Sequence, residues 1–306
     1  MNSILLIGPG AIGCTVAAWA SRNASNQIAV AARTAFDSIE VSFREQTIRC
    51  QPKVLTDPAS AAPVDWMIVA TKAYDSAAAA RWFETAGDAR TRLAVIQNGV
   101  EHVERFAPFF DRERIVPVTI DTPVDRVAPG RVVQRGPLTM VVPADANGAA
   151  FVALFAGVGG NVVSSGDFTT IAWKKLCLNS AGAVMAAVRE PAGIAHHDGV
   201  AEIMREIVRE CVAVGRAAGA KLDDGIADEI VQRTRRGPRD AANSMLADRR
   251  AGRPMEIDAR NGVIVRLGRK YGIATPMNAL MVALLESVTS VVVNATAGSD
   301  RSHPTA

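Results

Sequence analysis

The sequence predicts an α/β protein, with a doubly wound parallel sheet at the N-terminus and an all-α domain at the C-terminus. Three observations predict it. A glycine-rich turn near the start follows a short apolar run and leads into a helical pattern. Through the first half, short apolar runs alternate with helical stretches, the pattern of parallel strands joined by crossover helices. Beyond about residue 168 strand signals stop and apolar residues recur at helical spacing.

The turn is Gly8-Pro9-Gly10-Ala11-Ile12-Gly13, set between Ile4-Leu5-Leu6-Ile7 and Cys14-Thr15-Val16-Ala17-Ala18-Trp19. Its G-x-G-x-x-G spacing is the Rossmann dinucleotide-binding fingerprint when it joins a strand to a helix. Gly8 permits the tight turn, Gly10 lets the backbone approach a pyrophosphate, and Gly13 lets the helix lie close to the strand. The helix N-terminus then offers unpaired N–H groups and a positive dipole end to the phosphates. The glycines alone also fit an ordinary βα connection; their place between strand and helix favours the nucleotide.

The second strand, residues 27–31, ends in Ala32-Arg33-Thr34. NAD-binding chains place Asp or Glu there to accept from the ribose 2′-OH. Arg33 instead lies 20 residues after Gly13, and a guanidinium holds a 2′-phosphate by charge-assisted pairing. The reading is NADPH/NADP rather than NADH, against the alternative of a solvated loop arginine.

Further strands are expected at residues 39–43, 67–70, 93–97 and 115–119, with helical stretches at 74–83 and 100–106. Residues 132–135 and 138–142, parted by Gly136-Pro137, read as an edge strand pair, followed by a helix at 149–155 and a strand at 161–164. In the second half Val200, Ile203, Met204, Ile207, Val208, Cys211 and Val212 mark an amphipathic helix. Other helices are expected at 169–186, 224–234, 242–250, 258–271 and 276–294, with Gly272 and Pro276 as punctuation. The expected domains are 1–166, binding NADP, and 167–296, helical and catalytic, with a frayed tail at 297–306. The short connection near Gly166 predicts a cleft between them, where small ligands sit.

Composition narrows the class. The 306 residues suit two domains, and 49% hydrophobic with 21% charged residues is globular. A net charge of +3, spread along the chain, gives no nucleic-acid partner; Arg233-Thr234-Arg235-Arg236 reads as a solvated stretch. Cys14, Cys50, Cys177 and Cys211 form no C-x-x-C pair, read mostly as buried free thiols, and fit a reducing cytoplasm. The N-terminal apolar segment lacks the basic region of a signal peptide. The C-terminal apolar run is broken by Glu286 and Ser287, so no membrane span is expected. His102, His196 and His197 have no metal-ligand spacing, and no metal is expected.

Lys72 and Asn98 close two strands, in Ala70-Thr71-Lys72 and Ile96-Gln97-Asn98-Gly99. Ligands bind at such carboxyl ends in open α/β sheets, although Asn98 before Gly99 equally fits a turn. Lys175 and Asn179 share a helical face at i, i+4. Apolar neighbours there desolvate a lysine and lower its pKa towards acid–base use, whereas Lys174 points about 100° away. Ser244 and Glu256 lie in Asn243-Ser244-Met245 and Met255-Glu256-Ile257-Asp258. By spacing alone Glu256 fits a helix N-terminal charge better than a catalytic group.

Taken in order, the glycine fingerprint, Lys72, Asn98-Gly99, the W-x-K-L-x-x-N segment from Trp173 to Asn179, Ser244-Met245-Leu246, Glu256-Ile257-Asp258 and Asn261-Gly262 form a set. This set resembles the ketopantoate reductase family (2-dehydropantoate 2-reductases) from about residue 3 to residue 290. The resemblance implies a Rossmann domain plus a helical domain and NADPH-dependent reduction of ketopantoate to pantoate on the way to coenzyme A. It implies Lys175 as catalytic acid, Glu256 as a second catalytic or orienting group, and Asn98, Asn179 and Ser244 at the substrate. Lys72 and Arg33 then serve the cofactor, and Asn98 lies by the nicotinamide. Many members carry Asn where this chain has Ala183 and Ala241, so a wider pocket is expected. Ser244 and Glu256 are expected to face Asn98 across the cleft. The partner is a small 2-oxo acid, with a homodimer left open. The alternatives are a sibling reductase of another branched 2-oxo acid and a non-catalytic NADP sensor.

Overall fold

The structure, a computed structural model, describes residues 1–299. The chain divides into two compact units, Met1–Phe168 and Thr169–Ala306. The strands are β1 (Asn2–Ile7), β2 (Asn26–Ala31), β3 (Ile39–Phe43), β4 (Gln46–Cys50), β5 (Lys53–Leu55), β6 (Trp66–Val69), β7 (Arg92–Val95), β8 (Ile115–Pro117), β9 (Thr119–Ile120), β10 (Val124–Ala128), β11 (Arg131–Gln134), β12 (Thr139–Pro143) and β13 (Asn161–Ser165). The helices of the first unit are α1 (Ala11–Ala20), α2 (Ser76–Ala80), α3 (Phe83–Ala86), α4 (His102–Phe106) and α5 (Ala146–Ala153). Then follow α6 (Phe168–Ala181), α7 (Ala183–Val188), α8 (Asp198–Ala217), α9 (Ile226–Arg236), α10 (Ser244–Arg250), α11 (Val263–Tyr271) and α12 (Pro276–Ser299).

Six parallel strands form the main sheet in the order β5-β2-β1-β6-β7-β8. The chain winds outwards from β1 to β5, then returns to β6 on the other side of β1. The order therefore reverses between β1 and β6, and the carboxyl ends of these strands flank the switch point where nucleotides bind in such folds. Both faces are covered, so the strands read as continuous apolar runs. Ile4, Leu6, Ile68 and Ala94 pack with α1 and α5. Leu5, Ile7, Met67, Val69, Leu93 and Val95 pack with Ala79, Phe83 and Phe106 of α2, α3 and α4. Each fully buried Leu or Ile contributes about 1.5–3 kcal/mol. At the edge of β6, Asp65 Oδ2 accepts from both the backbone N–H and the hydroxyl of Ser3, each at 2.8 Å.

One expected pairing is corrected, and the strands fall into more than one sheet. Residues 39–43 do form a strand, but β3 lies in a separate sheet ordered β10-β11-β3-β4 and is antiparallel to β4. The third strand of the main sheet is β5, three residues long and only partly buried, too short to show a period. Residues 132–135 and 138–142 are strands that do not pair with each other: β11 joins β10 and β3, whereas β12 lies between β13 and β9. The Gly136-Pro137 step separates them into different sheets.

The described part of the second unit is helical throughout. The single helix expected at 169–186 is interrupted at Gly182, where a Cβ would stand 2.4 Å from Asn243 Nδ2. On α8, Met204, Ile207, Val208 and Cys211 are buried, while Ile203 is 36% exposed, off the buried face. Glu210 caps α12 by accepting from the backbone N–H groups of Met277 and Asn278 at 2.7 and 2.9 Å, a carboxylate at the positive helix end. Asn278 Nδ2 also donates to Glu210, and Asn261 Nδ2 donates to Asn278 Oδ1 at 3.0 Å. Helix α12 runs to Ser299, so the expected tail starts as helix and its remainder lies outside the described residues. No helix among the described residues is long and apolar enough to cross a membrane.

Candidate active site

In the first unit the fingerprint glycines have three different surroundings. Gly8 has φ +96°, and a Cβ on it would stand 2.6 Å from the Thr71 side chain and 2.7 Å from the Thr71 backbone nitrogen. At Gly13 a Cβ would meet Gly8 O at 2.1 Å, so the helix can approach the turn only as glycine. A Cβ on Gly10 would meet nothing within 4 Å. Gly10 is also the N-cap of α1, with no side-chain cap, and Ala11, Ile12 and Gly13 open the helix behind it. Open space over uncapped N–H groups is what a pyrophosphate requires, so these residues fit a dinucleotide. Pro9 lies between the two glycines, where its carbonyl accepts from the Cys14 thiol.

Arg33 lies two residues beyond the end of β2 and is exposed. Its strand pairs with β1 in register Ile7 to Ala31, and Gly8 N–H donates to Ala31 O at 3.2 Å. Arg33 and the glycine turn therefore leave adjacent strands at the same end of the sheet.

Lys72 and Asn98 are brought together by Gln97, which the sequence reading passed over. Gln97 is 6% exposed; its Nε2 donates to Thr71 Oγ1 at 3.0 Å and to Lys72 O at 3.4 Å. Its Oε1 accepts from Arg105 Nη1 at 2.8 Å, and His102 Nε2 lies 2.8 Å from Gln97 O. The amide thus ties the turn after β6 to the turn after β7. Gly99 has φ +99°, so Asn98 sits in a turn as well as at a strand end. A polar residue closing an apolar strand was the available signal for Gln97.

In the second unit Lys175 and Asn179 lie one turn apart on α6, both half-buried, while Lys174 is exposed. Asn243 is the N-cap of α10: its Oδ1 accepts from Leu246 N–H at 2.9 Å and its Nδ2 donates to Gly182 O at 2.8 Å. The start of α10, with Ser244, is thereby fixed to the end of α6, with Asn179. Asn261 Nδ2 donates to Ser180 O at 3.2 Å and fixes the turn after Glu256 to the same place. The elements bearing Asn179, Ser244 and Glu256 converge. Ala241 is exposed and Ala183 is buried.

Glu256 is 5% exposed and precedes a π-helical turn, Asp258–Gly262. Its surroundings are not those of a solvated helix start. Arg260, four residues on, is 3% exposed, and burial lowers its pKa while the Glu256 and Asp248 carboxylates raise it. Arg260 Nη2 donates to Ser244 Oγ at 2.5 Å. Arg260 is therefore hydrogen-bonded to Ser244 and stabilised by the charge of Glu256. Its i, i+4 spacing from Glu256 was the sequence signal that was missed. Among the described residues no group of three His, Cys, Asp or Glu could hold a metal.

A sheet wound in this order, an open glycine cradle and a helical unit carrying lysine, asparagine, serine and glutamate define a pyridine-nucleotide-dependent oxidoreductase. Residues 4–147 match the family model described as Ketopantoate reductase PanE/ApbA, and residues 167–289 match Ketopantoate reductase PanE/ApbA C terminal. The chain belongs to the ketopantoate reductase family. It is 50% identical to a 2-dehydropantoate 2-reductase of Caulobacter vibrioides over 94% of this chain and 99% of that one. It is 40% identical to a protein of the same name from Mycobacterium tuberculosis, covering 93% and 97% of the two chains. A crystal structure of a PanE/ApbA family ketopantoate reductase from Ralstonia eutropha superposes with TM-score 0.86 at 27% identity, covering 95% and 99%.

Proposed function

We propose that this chain reduces 2-dehydropantoate to pantoate with NADPH. The observation that carries the reading is half-identity, over nearly the whole chain, to a relative bearing that activity's name. Residues 1–166 are assigned to NADP and residues 167–296 to substrate and catalysis. Gly8, Pro9, Gly10, Ala11, Ile12 and Gly13 cradle the pyrophosphate, Arg33 takes the 2′-phosphate, and Lys72 and Asn98 serve the cofactor end of the reaction. Bound NADPH supplies the hydride that reduces the ketone carbon. Lys175 delivers the proton to the ketone oxygen as negative charge develops there, and its ammonium stabilises that charge. Asn98, Asn179 and Ser244 hold the substrate by neutral hydrogen bonds, and Glu256 orients it. The free cysteines, three of them buried, suit a reducing compartment such as the cytoplasm.

NADPH oxidation against a panel of 2-oxo acids tests the reading. Turnover led by ketopantoate supports it. Turnover of other branched 2-oxo acids without ketopantoate makes the chain a sibling reductase, and NADPH binding without any turnover makes it a sensor.

A further inference from the structure

The functional reading leaves one buried cation unused. Arg260 is 3% exposed on the π-helical turn Asp258–Gly262. Its hydrogen bonding is incomplete: Nη2 donates to Ser244 Oγ, while Nε has no partner. A buried guanidinium with an unpartnered Nε–H costs stability even beside the Glu256 and Asp248 carboxylates, and packing alone is better served by an apolar side chain. Single-turn π segments inside helices are frequent at functional sites. On the outer face of the same turn, Asp258 Oδ1 accepts from Arg266 Nη1 at 2.6 Å.

The consequence follows from donor and acceptor inventory. A guanidinium has five N–H donors and no acceptor. Ser244 Oγ therefore accepts from Arg260, and the serine's own O–H is turned away from the guanidinium. Ser244 is exposed at the first position of α10, whereas Arg260 behind it is buried. The hydroxyl proton is thereby left available for donation to an oxygen-rich ligand on the exposed side.

We propose that Arg260 is a positioning residue that fixes Ser244 as a hydrogen-bond donor to the carboxylate or hydroxyl oxygen of a 2-oxo acid. This rests on the reading of the chain as a 2-oxo acid reductase. It assigns Arg260 an effect on substrate KM that is transmitted through its hydrogen bond to Ser244, beside its charge interaction with Glu256.

The test is steady-state kinetics of the full chain with NADPH and ketopantoate for wild type, R260M, R260K, S244A and R260M/S244A. R260M should raise the KM for ketopantoate about 3- to 10-fold, the size of one neutral hydrogen bond. The KM for NADPH should not move, and R260K should lie between. In the S244A background R260M should raise the KM for ketopantoate by clearly less than it does in the wild type. Thermal melting checks that each variant folds; should R260M fail to fold, R260K in the wild-type and S244A backgrounds carries the comparison. Equal rises with and without Ser244, or an equal rise in the KM for NADPH, would overturn the proposal while leaving the reductase intact. A wild-type protein that reduces no 2-oxo acid overturns both.

Discussion

Gly13 stands so close to Gly8 that a Cβ on Gly13 would lie 2.1 Å from Gly8 O, whereas a Cβ on Gly10 would meet nothing within 4 Å. The two substitutions should therefore separate folding from binding. G13A forces the helix off the turn and should cost about 1–3 kcal/mol of stability, the usual price of overpacking. G10A, at φ −75°, should melt like the wild type but lose NADPH affinity about tenfold or more, because its methyl enters the space assigned to the pyrophosphate. Thermal melting and NADPH titration check the pair. Equal NADPH affinity in G10A would remove the cradle assignment.

Arg33 is exposed at the end of β2 with no carboxylate beside it in Ala32-Arg33-Thr34. R33A should weaken NADPH by about 1.5–3 kcal/mol, the range for a hydrogen bond to a charged group, and leave NADH nearly unchanged. Titration with both cofactors decides it. Equal loss for the two would show that Arg33 does not read the 2′-phosphate.

Lys175 shares its face of α6 with Asn179 and is half-buried, unlike Lys174. K175A should lower kcat by about 100- to 10,000-fold, the contribution of a positioned general acid. NADPH affinity should be unchanged. Wild-type kcat in K175A would remove Lys175 from the chemistry and make Lys174 or Lys72 the next candidate.

Asp65, just before β6, is hydrogen-bonded to Ser3 of β1. The backbone N–H and hydroxyl of Ser3 hold its carboxyl below the ordinary value of 3.8. A depressed folded-state pKa contributes stability that is complete above the unfolded value and is lost as pH falls through the folded value. D65N should therefore be about 1 kcal/mol less stable at neutral pH. The difference should shrink in acid, once Asp65 is protonated in both states. Denaturant melts at neutral and acidic pH measure it; a constant gap would show that charge is irrelevant there.

The fold was legible where residues are buried on both sides. Ile4–Ile7 and Met67–Val69 are apolar because helices cover both faces of the sheet. The same logic hid β5, whose Lys53-Val54-Leu55 is short and part-exposed. It also leaves the sheet of β3 open, because Ile39, Val41 and Phe43 alternate identically whichever sheet they join. Within the site, glycine spacing was legible because backbone geometry demands it. Arg260 and Gln97 were not, since each is polar within an apolar segment and its role lies in a partner distant along the chain, Ser244 or Thr71. Asn243 adjoins Ser244 in the sequence, but its work as the α10 cap and the tether of Gly182 appears only in three dimensions.

The central claim is transfer of a hydride from NADPH to ketopantoate with a proton from the protein. NADPH deuterated on the transferring face of the nicotinamide, incubated with ketopantoate and the full chain, tests it by mass spectrometry of the product. Pantoate carrying one deuterium at C2, the former ketone carbon, is expected, with formation slowed in K175A by the factor given above. Unlabelled pantoate, or no pantoate while NADPH still binds, would contradict it.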